Sequence, residues 1–238
     1  MNMMLLFERD FIHGARVRIT DRRLDHIRKV IRPEVGDTVT VGMLDGDLGE
    51  ATVLSLDREA VEMEVVFGAA PPPPLPVTVL LALPRPKSLF KSLQLIATMG
   101  VKELHLYNAS RVDKSFWQSR KLHQEAIEEH LMLGLEQAKD TLMPRVTLHR
   151  LFSHFVNDAL AEIIEGKACF VAHPSADHRP CPHQVNAPSV LALGPERGLI
   201  EHEVRCFRAR GFEPVGLGAR ILRVEQALPV MLAKMFDD

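Results

Sequence analysis

Apolar and polar residues alternate in short segments up to about residue 68, and turn residues such as Gly36-Asp37 and Asp45-Gly46 separate these segments. Such alternation predicts half-buried β-strands. The predicted strands cover residues 17–19, 38–41, 51–56 and 60–67. One amphipathic stretch, residues 24–31, predicts a short helix. Several short strands with turn signals between them indicate a small β-barrel.

From Val77 onward, nearly continuous apolar runs alternate with helical patterns. This arrangement predicts an α/β fold with a mainly parallel sheet. The predicted strands are residues 77–83, 103–107, 168–172, 190–193 and 214–217. The predicted helices are one that begins after an N-cap at Ser88, one from about 116 to 139, one at 152–164, one with Glu201 and Glu203 in its first turn, and a last helix.

A proline-rich segment lies where the two patterns meet. Residues 69–76 read AAPPPPLP, with five prolines in eight residues, which favours a stiff, extended spacer. We therefore predict two domains: a β-rich domain at residues 1–70 and an α/β domain at residues 77–238. Residues 71–76 form the linker.

Two glycine-containing turns follow predicted strands of the second domain. One is Gly194-Pro195-Glu196-Arg197-Gly198, and the other contains Gly216-Leu217-Gly218. Ligands of open α/β sheets bind at strand ends, where glycine lets the backbone come close. The pattern does not fit a dinucleotide, because Ile221 replaces the third glycine of the G-x-G-x-x-G fingerprint.

Composition narrows the class of protein. The chain has 238 residues, of which 46% are hydrophobic and 25% charged, as in globular proteins. Three cysteines do not suggest a disulfide framework and suit a reducing cytoplasm. The start, MNMMLLFERDF, lacks the features of a signal peptide, and no apolar run is long enough for a membrane helix. We expect a cytoplasmic protein that does not bind membranes.

The charge is unevenly distributed, although the net charge is only −2. Residues 8–32 contain eight Arg or Lys against four Asp or Glu, and residues 85–121 contain eight against two. Basic surfaces of this kind attract phosphates, although many such clusters are only solvated surface.

One segment has the residue types of a metal site. It contains His173, His178, Cys181 and His183, but their spacing fits no standard zinc pattern, so we predict no metal site. His173 is expected to line the ligand pocket instead. No combination of Ser, His and Asp, or of Cys and His, indicates a nucleophilic enzyme.

The two C-terminal motifs resemble a known family. Gly194-Pro195-Glu196-x-Gly198 and Leu217-Gly218-Ala219-Arg220-Ile221-Leu222-Arg223-Val224-Glu225 are similar to motifs of SPOUT methyltransferases. More narrowly, they resemble the family that methylates N3 of a uridine in 16S ribosomal RNA. The resemblance implies a trefoil knot that holds S-adenosylmethionine, and a homodimer. The runs at 26–32, 35–37 and 44–46 also resemble this family's PUA-like RNA-binding domain.

The resemblance also assigns site residues. The implied cofactor-binding residues are His173, Leu193, Gly194, Pro195, Glu196, Gly198, Leu217, Gly218, Ile221 and Leu222. The uracil N3 proton is weakly acidic, so a nearby cation would stabilise the anion, and we expect Arg223 to have this role or to hold a phosphate. Glu225 would orient Arg223 or cap the last helix. The implied RNA-binding residues are Arg28, Arg32, Arg111 and Arg220. The partner would be 16S ribosomal RNA or the small ribosomal subunit. A dimer would form through apolar residues of the last helix.

Three positions depart from the family's motifs. Arg197 replaces a glycine, and Val224 and Gln226 replace threonines. If position 197 needs a positive φ, arginine there costs about 1 kcal/mol or more. The departures leave two alternatives open: a SPOUT paralogue that methylates another base or a ribose, or an RNA-binding protein without turnover.

Overall fold

The computed structural model describes residues 2–174 and 179–236, which form two compact units. The first unit ends at Pro73 and also contains Met132–Met143, and the second contains Pro74–Leu131 and the chain from Pro144 onward. From the sequence we predicted a linker at 71–76. We did not predict that residues 132–143 would join the first domain. Leu75 N–H donates to the Gly100 carbonyl at 3.0 Å and Ser189 N–H to that of Pro76 at 2.9 Å, so the end of the predicted linker is held in the second unit.

The first unit contains one six-stranded sheet. Its strands are β1 (Met4–Leu6), β2 (Phe11–His13), β3 (Arg16–Ile19), β4 (Thr38–Met43), β5 (Leu48–Leu56) and β6 (Val61–Ala69). Their order is β1-β4-β5-β6-β3-β2, with β1 and β2 at the two ends, and the closure of this sheet into a barrel stays a prediction. Alternate residues such as Val17, Val41 and Met63 are buried in one apolar core, as the strand period requires.

A short helical segment follows β3 in this unit. α1 (Arg22–His26) continues as a π-helical turn, Ile27–Ile31, which confirms the predicted helical segment. The turn ends at Arg32, which has a left-handed φ of 55°, and Arg32 Nε donates to the Lys29 carbonyl at 3.0 Å. The Arg32 side chain thus caps its own helix, and both Arg28 and Arg32 are exposed.

A buried arginine, Arg23, joins strand β1 to the segments that contain Asp10 and Asp21. Arg23 is 2% exposed. Its two terminal nitrogens donate to both oxygens of buried Asp10, at 2.6 and 2.8 Å, and it also binds Asp21 and the Leu5 carbonyl. This paired geometry satisfies charges that would otherwise be costly to bury.

The second unit contains a seven-stranded sheet in which all pairs are parallel. Its strands are β7 (Val77–Ala82), β8 (Glu103–Tyr107), β9 (Arg145–His149), β10 (Ala168–Ala172), β11 (Arg179–Pro180), β12 (Ser189–Leu193) and β13 (Glu213–Gly216), in the order β11-β13-β10-β12-β7-β8-β9. The predicted α/β fold with a parallel sheet is confirmed. The sequence missed β9, which the rule of apolar runs does not identify because the strand is only partly buried.

The helices are α2 (Pro86–Thr98), α3 (Gln124–Ala138), α4 (Phe152–His154), α5 (Leu160–Ile164), α6 (Glu201–Ala209) and α7 (Val224–Met235), with a π-helical turn, Phe155–Ala159, joining α4 to α5. Ser88 is not the N-cap predicted for α2, because Pro86, whose φ suits a first helical position, already begins the helix after Arg85. Among the described residues, no helix has the length and apolar character needed to span a membrane.

The long helix predicted from about 116 to 139 is wrong at its start. Lys114–Gln118 and Arg120–Leu122 are separate 3-10 turns, and α3 begins only at Gln124. Asp113 and Ser119 cap these turns by accepting hydrogen bonds from the N–H groups of Ser115 and Lys121, at 2.8 and 3.3 Å. Local capping therefore interrupts the helical pattern.

The end of α3 packs in the first unit. Glu136 is buried, and its carboxylate accepts hydrogen bonds from Arg22 at 3.0 and 3.2 Å. Its carbonyl accepts the N–H groups of Asn2 and Met3 at 3.0 and 3.1 Å. These contacts explain why residues 132–143 belong to the first unit.

The last helix does not present the broad apolar surface that we predicted for a dimer. Leu228, Met231, Leu232 and Met235 are fully buried within the chain itself. Val230 alone of the five apolar residues that we considered is substantially exposed, at 38%.

We predict that Arg23→Met destabilises the first unit by about 3–5 kcal/mol, because it leaves the Asp10 carboxylate buried without its cation. The matched change Arg18→Met, which breaks a 3.6 Å surface pair with Glu62, should cost less than about 1 kcal/mol. Urea denaturation of the full chain measures both. Equal effects of the two substitutions would contradict the assigned role of Arg23.

Candidate functional site

A cavity opens where β10, β12 and β13 end. It measures about 750 Å³ when the part open to solvent is included. All ten residues predicted to contact a cofactor line it: His173, Leu193, Gly194, Pro195, Glu196, Gly198, Leu217, Gly218, Ile221 and Leu222. The structure thus brings both glycine turns and the end of β10 into one cavity.

The first wall is the tight turn after β12. A Cβ on Gly194 would lie 2.9 Å from Leu199 Cγ and 3.0 Å from Leu199 N, so a side chain there would force Leu199 to move. Gly198 has a φ of 72°, which favours glycine, and its N–H donates to the Pro195 carbonyl at 2.7 Å. The two glycines therefore shape this wall for different reasons.

Arg197 does not have the strained, positive φ that we considered for it from the sequence. The positive φ of this turn falls at Gly198, and Arg197 is not among the non-glycine residues with positive φ. Arginine is therefore tolerated at this position without a conformational cost. Its carbonyl accepts a hydrogen bond from Arg111 Nη1.

Glu196 connects the first wall to the loop before α2. Its Oε1 accepts the backbone N–H of Arg85 at 3.0 Å and lies 3.9 Å from Arg85 Nε. The Glu196 side chain is mostly buried and lines the cavity, so it places a carboxylate in the wall.

The second wall is the loop after β13. Gly218 has a φ of 104°, and a Cβ there would have open space around it, so the backbone conformation and not crowding favours glycine. Ile221 is 85% exposed, although it lines the cavity mouth. Arg220, predicted to bind RNA, also lines the cavity and is exposed.

The two predicted catalytic residues lie beside the cavity and do not line it. Arg223 is the exposed N-cap of α7, and its N–H donates to Gln226 Oε1 at 3.3 Å. Within the described ranges, no ion pair joins Glu225 to Arg223, so no observed contact supports the expectation that Glu225 orients Arg223. Gln226, not Glu225, caps the helix with its side chain.

The predicted RNA-binding residues fall in both units. Arg28 and Arg32 belong to the first unit, and Arg111 and Arg220 to the second. All four are exposed. Arg111 also donates to the Arg197 carbonyl, which fixes part of its guanidinium against the first wall.

Sequence reasoning missed two residues behind the first wall. Tyr107 donates its hydroxyl to the Leu193 carbonyl at 2.9 Å, and Glu203 accepts the Ser110 N–H at 2.6 Å. Burial raises the pKa of the Tyr107 phenol well above its usual range, and the Glu203 carboxylate adds to the shift, so the hydroxyl stays a donor. The only sequence feature that pointed to Glu203 was its position in the first turn of α6, and this feature predicted a helix start and not a contact with the wall.

The segment considered for metal binding gives no metal cluster in the part of the chain that the structure describes. His178 lies outside the described residues. Burial raises the pKa of the Cys181 thiol to about 11, so without a metal ion the thiol stays protonated at neutral pH.

The protein is an α/β protein with a glycine-walled cavity at the carboxyl edge of its parallel sheet, where folds of this class bind their ligands. Residues 71–236 match the family described as an RNA methyltransferase domain, and the chain belongs to this family.

Relatives with assigned names share nearly the whole chain. "Ribosomal RNA small subunit methyltransferase E" of Treponema pallidum is 28% identical over 95% of this chain and 87% of its own. The Synechocystis protein of the same name is 27% identical over 93% and 73%.

Solved structures share the fold. Ribosomal RNA small subunit methyltransferase E from Neisseria gonorrhoeae, bound to S-adenosyl methionine, matches with a TM-score of 0.75 at 18% identity over 98% of this chain and 95% of its own. A putative methyltransferase from Legionella pneumophila, also with bound S-adenosylmethionine, matches with a TM-score of 0.71 at 22% identity, over 98% and 97%.

Proposed function

We propose that the protein methylates N3 of a uridine in 16S ribosomal RNA, with S-adenosylmethionine as the methyl donor. The observation that carries the proposal is the cavity between residues 193–199 and 217–222, at the carboxyl ends of parallel strands. Membership of an RNA methyltransferase family supports the reaction class. The names of the relatives support small-subunit ribosomal RNA as the substrate. The resemblance of the motifs at 194–198 and 217–225 supports N3 of uridine as the methylated atom.

The lining of the cavity fits this donor. Much of it is apolar, including Leu199, Leu217 and Leu222, which suits an adenine ring. The glycines let backbone groups approach a ligand closely. Glu196 places a carboxylate in the wall, which suits a positively charged sulfonium.

When bound, S-adenosylmethionine would supply a methyl group activated by the positive sulfonium. The chain must then hold the uracil in line with the S–CH₃ bond, which would break as the N–CH₃ bond forms and would leave a neutral thioether. The N3 proton must leave to solvent. We propose that Arg223 stabilises the developing uracil anion, because its side chain is an exposed cation beside the cavity. Glu225 has no role in this proposal, since it neither lines the cavity nor pairs with Arg223.

We propose that Arg28, Arg32, Arg111 and Arg220 contact RNA phosphates, which provide affinity and register while contacts to the base select the target. We also propose a knotted second unit and a PUA-like first unit. The resemblance supports both, and an experimental chain trace checks them.

Methylation of small ribosomal subunits from a strain that lacks this modification tests the function. Purified protein with S-adenosylmethionine should produce 3-methyluridine, detected by mass spectrometry of nucleosides. A methyl group on a ribose or on another base would instead identify a paralogue with a different target. RNA binding without any transfer would identify a protein that has lost turnover.

Substitutions separate the two proposed roles. Arg223→Ala should lower kcat on the order of 100-fold, as expected for a group that stabilises transition-state charge, with RNA affinity nearly unchanged. The double change Arg28→Ala and Arg32→Ala should weaken RNA binding and reduce the salt slope by about 2. Arg205→Ala, at an exposed position of the second unit, is the control for Arg223→Ala. Arg58→Ala, at an exposed position of the first unit, is the control for the double change. An unchanged salt slope in the double variant would exclude its proposed phosphate contacts.

We propose a homodimer through the second unit. The exposed apolar side chains of Ile221, Leu222 and Val230 support an interface, in place of the buried side chains of α7. Light scattering at micromolar concentration should give twice the mass of the chain. Ile221→Asp should shift the protein toward the monomer, and a wild-type monomer would contradict the proposal.

A further inference from the structure

A buried carboxylate joins two loops behind the cavity. Glu203 is 1% exposed, and both of its oxygens accept backbone hydrogen bonds. Oε1 accepts the N–H of Ser110 at 2.6 Å, and Oε2 accepts the N–H of Ile200 at 2.9 Å. Burying a carboxylate is costly unless it is hydrogen-bonded, so these two bonds keep it in place. Glu203 therefore links the turn before α6 to the loop after β8.

The loop after β8 in turn contacts the first wall of the cavity. Arg111 donates to the Arg197 carbonyl, and Tyr107 donates to the Leu193 carbonyl at 2.9 Å. Leu193 and Arg197 enclose Gly194, Pro195 and Glu196, which line the cavity. Tyr107, Arg111 and Glu203 do not line it, so they support the wall from behind.

The wall depends on this support because it has little hydrogen bonding of its own. Within residues 194–198 the backbone bond is that from Gly198 N–H to the Pro195 carbonyl. Two glycines and a proline in five residues otherwise leave a turn whose shape is not fixed by regular secondary structure. Contacts from outside the turn must therefore hold its shape.

We propose that Glu203 is a positioning residue for the cofactor: it holds the first wall in its binding shape and places the Arg111 loop against that wall. This inference rests on the proposed function, in which the wall binds S-adenosylmethionine. The side-chain length is part of the argument, because one carboxylate must reach two N–H groups on different loops. The change Glu203→Asp would keep the charge and lose this reach, whereas Glu203→Gln would keep the length and turn an NH₂ toward one of the two donors.

The test compares Glu203→Gln and Glu203→Asp with Glu201→Gln, which removes an exposed carboxylate from the same first turn. Each full-length variant is titrated with S-adenosylmethionine by calorimetry. Amide hydrogen exchange of Ser110 and Ile200 is measured without cofactor, and the KM for the cofactor and kcat are measured with RNA.

Both Glu203 variants should weaken cofactor binding about tenfold, as expected for the loss of one hydrogen bond to a charged group. The KM for the cofactor should rise by a similar factor while kcat stays nearly constant. Exchange at Ser110 and Ile200 should accelerate, and Glu201→Gln should match the wild type. A purely structural role would lower the melting temperature and the active fraction without raising KM.

Wild-type cofactor affinity in both Glu203 variants would overturn the proposal, as would faster exchange without a change in affinity. If the wild-type protein itself does not bind S-adenosylmethionine, the proposed function fails instead. Amide exchange then still decides whether Glu203 holds the two loops, because that measurement needs no cofactor. Unchanged exchange at Ser110 and Ile200 in Glu203→Gln would overturn that role.

Discussion

The site depends on the register of three parallel strands. In the centre, Ala172 at the end of β10 pairs with Leu193 of β12 on one side and with Val215 of β13 on the other. This pairing brings two glycine turns that are distant in sequence to the same edge of the sheet. Parallel strands end together at one edge, so the backbone of each turn can face one shared cavity. A slip of one residue would turn the side chains of a strand to the opposite face and separate the walls.

The walls of this cavity combine local and distant constraints. Glycine supplies the local ones: Gly194 gives room for Leu199, and Gly198 and Gly218 allow positive φ. Glu203 supplies a distant one from α6, since its carboxylate joins the turn to a loop on another strand. A binding site needs such support, because a small displacement of a wall weakens every contact that it makes with a ligand.

Much of the second unit could be predicted from the sequence, because its central strands are continuous apolar runs and its turns contain glycine. The cavity residues followed from the same features, since the motifs stand directly at strand ends. The sequence did not identify β1, β2, β9 or β11, which are short or only partly buried. It also missed Tyr107 and Glu203, whose hydrogen bonds span 86 and 93 residues and so leave no local pattern. The burial of Arg23 was also missed, although its partners Leu5, Asp10 and Asp21 lie within 18 residues of it in the chain.

A crystal structure of the protein grown with S-adenosylmethionine tests the central claim most directly. We expect electron density for the cofactor between residues 193–199 and 217–222, in contact with both glycine turns. Density for the cofactor at another place, or no density at millimolar cofactor with the cavity open to solvent, would contradict it.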